Sequence, residues 1–268
     1  MSKLKKRIFV IVAAVLFATL LALEVLPKSI FNSEIYGQDL YVILSRFLGG
    51  LVCVFVLAIS SKGMLLPRFG LKTFLVFLPC MAVAINNFPF IAFFSGKATI
   101  DASPSVVAVY ALSQLAVGFF EEMAFRGCIF TVVLQRCKKN RLGAFLAIVI
   151  SSVIFGVIHA VNIVAGSSID AVVLQIGYSF LIGGMCSVIL IKTSNIWYCV
   201  ILHAVYNFAG GVVPSCGGGE IWDTPTVILT AVVAVLVAEY VIFLLFTISP
   251  LEIRGLLNGG KKEEQTNK

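Results

Sequence analysis

An all-α, polytopic membrane protein is the fold class that this sequence predicts, and three observations carry the prediction. Of the 268 residues, 60% are hydrophobic and only 12% charged, and the mean hydropathy is +1.04. A soluble domain carries roughly a quarter charged residues, so half the expected charge is missing. The apolar residues fall in runs of the ~20 residues that a helix needs to cross hydrocarbon, whereas barrel strands would be shorter and alternating. The net charge of +7 sits in blocks that flank those runs and forms no basic face, so nucleic acid is not an expected partner. An ordinary cytosolic enzyme, a disulfide-stapled secreted module and a disordered tail are excluded.

Eight spans are predicted, at approximately 8–26, 40–60, 73–94, 104–134, 142–162, 170–191, 196–213 and 225–248. The first follows the basic start Lys3–Arg7. No small-x-small cleavage site stands out around Leu20 to Pro27, so it reads as a retained helix and not a signal peptide. Lys28 and Glu34 separate it from the second span. Lys62, Arg68 and Lys72 precede the third, and Lys97 and Asp101 the fourth. Arg136, Lys138, Lys139 and Arg141 precede the fifth, Asp170 opens the sixth, Lys192 precedes the seventh, and Glu220 and Asp223 precede the eighth. The chain divides into three N-terminal spans (1–103), a core (104–213), and the last span with its tail (214–268).

The side holding both termini carries 16 of the 20 basic residues: those before the first, third, fifth and seventh spans, with Arg254, Lys261, Lys262 and Lys268. The other side has Lys28 and Lys97 with Glu34, Asp39, Asp101, Asp170, Glu220 and Asp223. Positive charge stays cytoplasmic, so both termini are expected in the cytosol and the span number is even. The expected location is a bacterial plasma membrane. Seven scattered cysteines form no CxxC pair and read as small buried hydrophobes. No inverted repeat of the transporter kind is evident. Gly183 and Gly184 permit close helix contact, whereas Gly210–Gly211 and Cys216–Gly219 mark a flexible outer loop.

Ionisable residues inside a span cost a few kcal/mol, so each needs a reason. Arg46, near the outer end of the second span, can snorkel, and Glu24 sits at the interface. Glu239, deep in the eighth span, has no evident partner. The fourth span holds Glu121 and Glu122 with Arg126 one turn on. Glu122 and Arg126, four apart, share a helix face and can pair, which leaves Glu121 for another task. A carboxylate beside another in a low-dielectric site suits general acid–base chemistry. The only two histidines also fall in apolar spans. His159 closes Phe155-Gly-Val-Ile-His159 on the fifth, and His203 opens His203-Ala-Val-Tyr-Asn207 on the seventh. A cavity holding Glu121, His159, His203 and Asn207 could activate water and stabilise an oxyanion.

EExxxR on one span, FxxxH on the next and HxxxN two spans later resemble the CPBP (Abi) family of CAAX-protease and bacteriocin-processing intramembrane peptidases. The resemblance covers about 104–213 and implies an eight-helix fold with the catalytic core in the fourth to seventh helices. It implies a membrane-embedded endopeptidase related to the enzyme that trims prenylated CAAX proteins, and the first functional reading is cleavage of a membrane-tethered or amphipathic peptide. Glu121 would activate water with His159 beside it, His203 and Asn207 would hold the oxyanion, and Glu122 and Arg126 would be a structural ion pair. No cofactor is favoured. Zinc on Glu121, His159 and His203 stays open, since the donors suffice for one although HExxH is absent. A silent scaffold and a small-solute transporter are the competing readings. A straight helix from Asp101 to Arg136 would be about 52 Å long against a core of ~30 Å, so the fourth span must tilt, break or project. His159 lies about 27 Å along from Arg141 and His203 about 16 Å from Lys192, so the fifth must tilt or overhang. The resemblance favours a cavity opening to the cytoplasm.

Overall fold

The computed structural model describes residues 37–60, 64–66 and 69–258, so the first predicted span, Glu24 and the C-terminal tail lie outside the described residues. The described chain is nearly all-α. Its order is α1 (Gly37–Ser60), α2 (Leu71–Asn86), α3 (Phe90–Phe94), β1 (Ala98–Ile100) and α4 (Pro104–Glu122). A π-helical segment (Met123–Phe130) continues α4 into α5 (Thr131–Arg136). Then come α6 (Arg141–Ile158), α7 (Val161–Val164), α8 (Ile169–Thr193), α9 (Ile196–Cys216), β2 (Gly217–Gly219), α10 (Thr224–Phe246) and α11 (Pro250–Leu257).

Polar side chains at the boundaries set the helix starts. Asn140, Ser168, Asn195 and Asp223 each accept a backbone N–H from the first turn of α6, α8, α9 and α10. Ser249 and Glu252 form a reciprocal capping box on α11.

Among the described residues, five helices are long and apolar enough to cross a membrane: Gln38–Ile59, Arg141–Val164, Ile169–Thr193, Ile196–Cys216 and Thr224–Phe246. The third and fourth predicted spans depart from a single α-helix for local reasons. Pro89 lacks an N–H and disfavours helix at the residue before it, so the third span splits into α2 and α3. The fourth stays helical from Pro104 to Arg136 but widens to π register at Met123. The fifth ends at Ile158, with His159 as its C-cap, so His159 terminates the helix and is not inside it.

The glycine-rich stretch is not a flexible loop. Gly210 and Gly211 lie within α9, backed by Asn87 and Tyr110, where a Cβ would collide. Gly217–Gly219 pairs antiparallel with Ala98–Ile100, because only glycine lets β2 approach the backbone of Thr99 and Lys97 so closely.

These contacts define two ends of the bundle. At one, Lys192 Nζ bonds Glu252 (3.0 Å) and Trp197 Nε1 donates to Leu65 O (3.0 Å). That end carries Lys72, Arg136, Lys138, Lys139, Arg141, Lys192 and Arg254. At the other, the β1–β2 ribbon is clamped by Lys97 Nζ on Asp223 Oδ2 (2.8 Å), among Asp39, Asp101, Asp170 and Glu220. Between them α4 packs mainly against α9 and α1, and α6 against α8. In hydrocarbon no hydrophobic drive brings helices together, so close contact of small residues and hydrogen bonds must do it. Gly118 provides one such contact: a Cβ there would lie 2.9 Å from Ala204 N of α9. The helix carrying Glu121 is thereby seated on the helix carrying His203.

Candidate active site

Successive residues on a helix point about 100° apart, so Glu121 and Glu122 enter different surroundings. The Glu122 side chain is fully buried. Its Oε1 accepts from Arg126 Nη1 of the π segment at 2.8 Å and from His203 Nδ1 of α9 at 2.7 Å. An ionised carboxylate can only accept, so the bond places a proton on Nδ1 and leaves His203 Nε2 facing the other way. There Nε2 lies 3.5 Å from Glu121 Oε2.

Arg126 is held on a second side as well. Its guanidinium carbon lies 4.1 Å from the centroid of the Phe155 ring, a cation–π contact. Its Nη2 reaches the space that a side chain at Gly183 would fill, since a Cβ there would be 2.6 Å away. Both Nη2 and Glu122 Oε2 are buried without a hydrogen-bond partner among the described residues. This half of the site is sealed from bulk solvent.

His159 caps α6, and its Nδ1 donates to Phe155 O at 2.8 Å. The carbonyl would otherwise be one of the orphan acceptors of a helix end. The bond leaves Nε2 as the acceptor nitrogen. The Phe155 ring stands edge-on to both imidazoles, at centroid distances of 5.1 Å to His159 and 5.8 Å to His203. One aromatic side chain therefore spaces the two histidines, which the lengths of their helices had seemed to set at different depths.

Glu121, His159, His203 and Asn207 all line one cavity of about 620 Å³, whereas Glu122 and Arg126 lie behind its wall. The Asn207 side chain makes no hydrogen bond among the described residues. Gln114 and Gln175 add amide groups to the wall, and Trp222 stands at the rim. Gln114 had a sequence signal that went unused: it is an amide in an apolar span two turns before Glu121, on the same face. Arg46 is half-buried, with its guanidinium 5.6 Å from the Phe120 ring and its charge within reach of Glu121, so it turns inward and does not snorkel. Glu239 lies exposed on α10 with no partner among the described residues.

As candidate zinc ligands, Glu121, His159 and His203 do not fit as they stand. Among the described residues, the group whose donor atoms lie within 4.8 Å of one another is Glu122, Cys186 and Cys199. Glu122 there already serves Arg126 and His203.

Residues 103–209 match the family model for type II CAAX prenyl endopeptidases, Rce1-like. The matched segment runs from the N-cap of α4 to just beyond Asn207 and contains every residue of the proposed site. No curated protein and no solved structure matches the chain.

Proposed function

With residues 103–209 assigned to the Rce1-like CAAX proteases, within the CPBP family, we propose that this integral membrane protein is an intramembrane endopeptidase that hydrolyses membrane-tethered or amphipathic peptides. The observation that supports this most is the cavity in which Glu121, His159, His203 and Asn207 meet. The far nitrogen of each imidazole there is engaged by a fixed partner.

Glu121 takes a proton from water as the oxygen attacks the scissile carbonyl, with His159 Nε2 accepting the second water hydrogen to orient it. The oxyanion meets Asn207 Nδ2–H and His203 Nε2–H. Donation from Nε2 requires a proton there as well as on Nδ1, and the Glu122 carboxylate on Nδ1 is placed to support that form. Glu122 thus orients His203 as well as pairing with Arg126. As the tetrahedral intermediate collapses, Glu121 returns its proton to the departing amine, giving one carboxylic acid and one amine. No step is assigned to a metal, because the donor atoms of the three candidate ligands do not all lie within 4.8 Å of one another as they stand.

The test is cleavage of a library of membrane-anchored peptides in liposomes by wild type and Glu121→Gln. General acid–base catalysis contributes about 100- to 10,000-fold, so the folded variant is expected to lose detectable cleavage. Undiminished cleavage by Glu121→Gln would sink the assignment. Full rescue of a deletion phenotype by the same variant would favour the scaffold reading. Reversible loss of cleavage on chelation would transfer the water-activating step to a metal.

A further inference from the structure

The lining of the cavity extends toward one end of the bundle, and the charge at that end bears on where substrate comes from. Glu121 lies in the last turn of α4, midway along the rod that the π segment continues, and His203 lies within α9. From there the wall climbs past His159, at the end of α6 farthest from Arg141, to Asn87, which follows α2, and to Trp222, beside β2. Trp222 is 53% exposed. All three of these higher residues lie at the end that carries the β1–β2 ribbon and the acidic side chains.

In the opposite direction the way is filled. Met123, Phe130 and Leu134 follow Glu121 down the same helical rod, and each is fully buried in one cluster with Ile189 and Ile196. Beyond that plug lie Arg136, Lys138, Lys139, Arg141 and Lys192. Basic residues in short loops next to spans hold their side of a membrane protein in the cytosol. At the cavity end, the one basic residue among the described loops, Lys97, is paired to Asp223.

We infer that the cavity opens on the non-cytoplasmic face of the membrane, and that the substrates are amphipathic or membrane-anchored peptides presented in the outer leaflet. This rests on the peptidase reading for its chemistry but not for its geometry. It runs against the cytoplasmic opening that the family resemblance favours. A lipidated C-terminus displayed in the cytosol would meet the basic, plugged end of the bundle.

The test uses the full chain in intact cells and a charged maleimide that does not cross membranes, with labelling measured over the parent protein. Trp222→Cys is expected to label without permeabilisation, and Lys138→Cys only after it. The reverse pattern at either position would overturn the inference. A cleavable peptide is then added to right-side-out and inside-out vesicles, and cleavage is expected only in the right-side-out population. Cleavage confined to inside-out vesicles would also overturn it. No cleavage in either, with the labelling pattern as expected, would remove the peptidase reading and leave the orientation of the cavity standing.

Discussion

Glu121 and Glu122 are adjacent in sequence, yet one faces a cavity and the other is sealed in the bundle. The side chain of Glu121 is 17% exposed, whereas that of Glu122 is wholly buried. Glu122 is committed to Arg126 and His203, and Glu121 keeps its oxygens turned to the space a substrate would enter. One helix thus supplies a group free to exchange a proton and a group that fixes its neighbours. On the proposed mechanism the buried, dry half sets geometry and carries stability, and the cavity-facing, wet half is left for chemistry. Substitutions in the dry half should therefore be felt in unfolding, and those in the wet half in rate.

The largest effect is expected from Arg126→Ala. It removes one partner of a buried ion pair and leaves Glu122 with His203 alone, at a cost of about 3–5 kcal/mol. Denaturation in detergent measures it, and a loss below ~1 kcal/mol would break the contrast. Replacing both partners, as Glu122→Met with Arg126→Met, sharpens it. Exchanging a buried pair for apolar side chains of similar volume is often neutral, so stability should return. Cleavage should not, because His203 Nδ1 has lost its acceptor.

Next in size is Asn207→Ala in the wet half. Loss of one oxyanion donor costs about 2.7–4 kcal/mol of barrier, or ~100- to 1000-fold in rate. The Asn207 side chain has no hydrogen bond to lose among the described residues, so the unfolding curve should not move. A shifted curve with normal turnover would make Asn207 structural.

Smaller again is Gly183→Ala. The added methyl group would sit 2.6 Å from Arg126 Nη2 and 3.2 Å from Phe155 Cδ1, overpacking of a kind that costs about 1–3 kcal/mol. Gly184→Ala is the matched control, since its new Cβ would meet Ser152 and Ile148 at 3.8 and 3.9 Å, an ordinary contact. Equal behaviour of the two variants in unfolding and cleavage would show that Gly183 does not position Arg126.

The helix placements of α6, α8, α9 and α10 were legible because long apolar runs ended at polar caps, as Asn140, Ser168, Asn195 and Asp223 show. The Glu122–Arg126 pairing was legible because i, i+4 geometry is local. The π segment was not, since its register is settled by packing around Arg126 and Phe130 and by no residue type of its own. The bond from His203 to Glu122 joins residues 81 positions apart, and helical spacing cannot supply such a contact. Nor could composition show that Gly217–Gly219 is a strand, because it becomes one only when β1 lies beside it. The glycines looked like a flexible connection for the same reason that they can pair: they have no side chains.

The smallest effect concerns the rim of the wet half, where the ribbon beside Trp222 is fastened by Lys97 and Asp223. The Lys97 ammonium, with the Thr226 N–H, holds the Asp223 carboxyl down at about 2, below its ordinary 3.8. A depressed carboxylate contributes stability that is full above about pH 4 and is lost as pH falls through about 2. Lys97 is shifted the opposite way, upward from its ordinary 10.5 by the bond to Asp223. Its contribution is full below about pH 10 and fades as pH rises through the raised value. The clamp should hold across the range between and loosen on both sides. Trp222 fluorescence in a Trp197→Phe background reports on it directly, because Trp222 stands next to Asp223. Wild type should change between about pH 4 and 2, and Asp223→Asn should lack that transition while the core, followed by far-UV circular dichroism, stays folded. Coincident fluorescence titrations of the two proteins would show that the ion pair does not fasten the rim, and the ribbon would then be held by its backbone pairing alone.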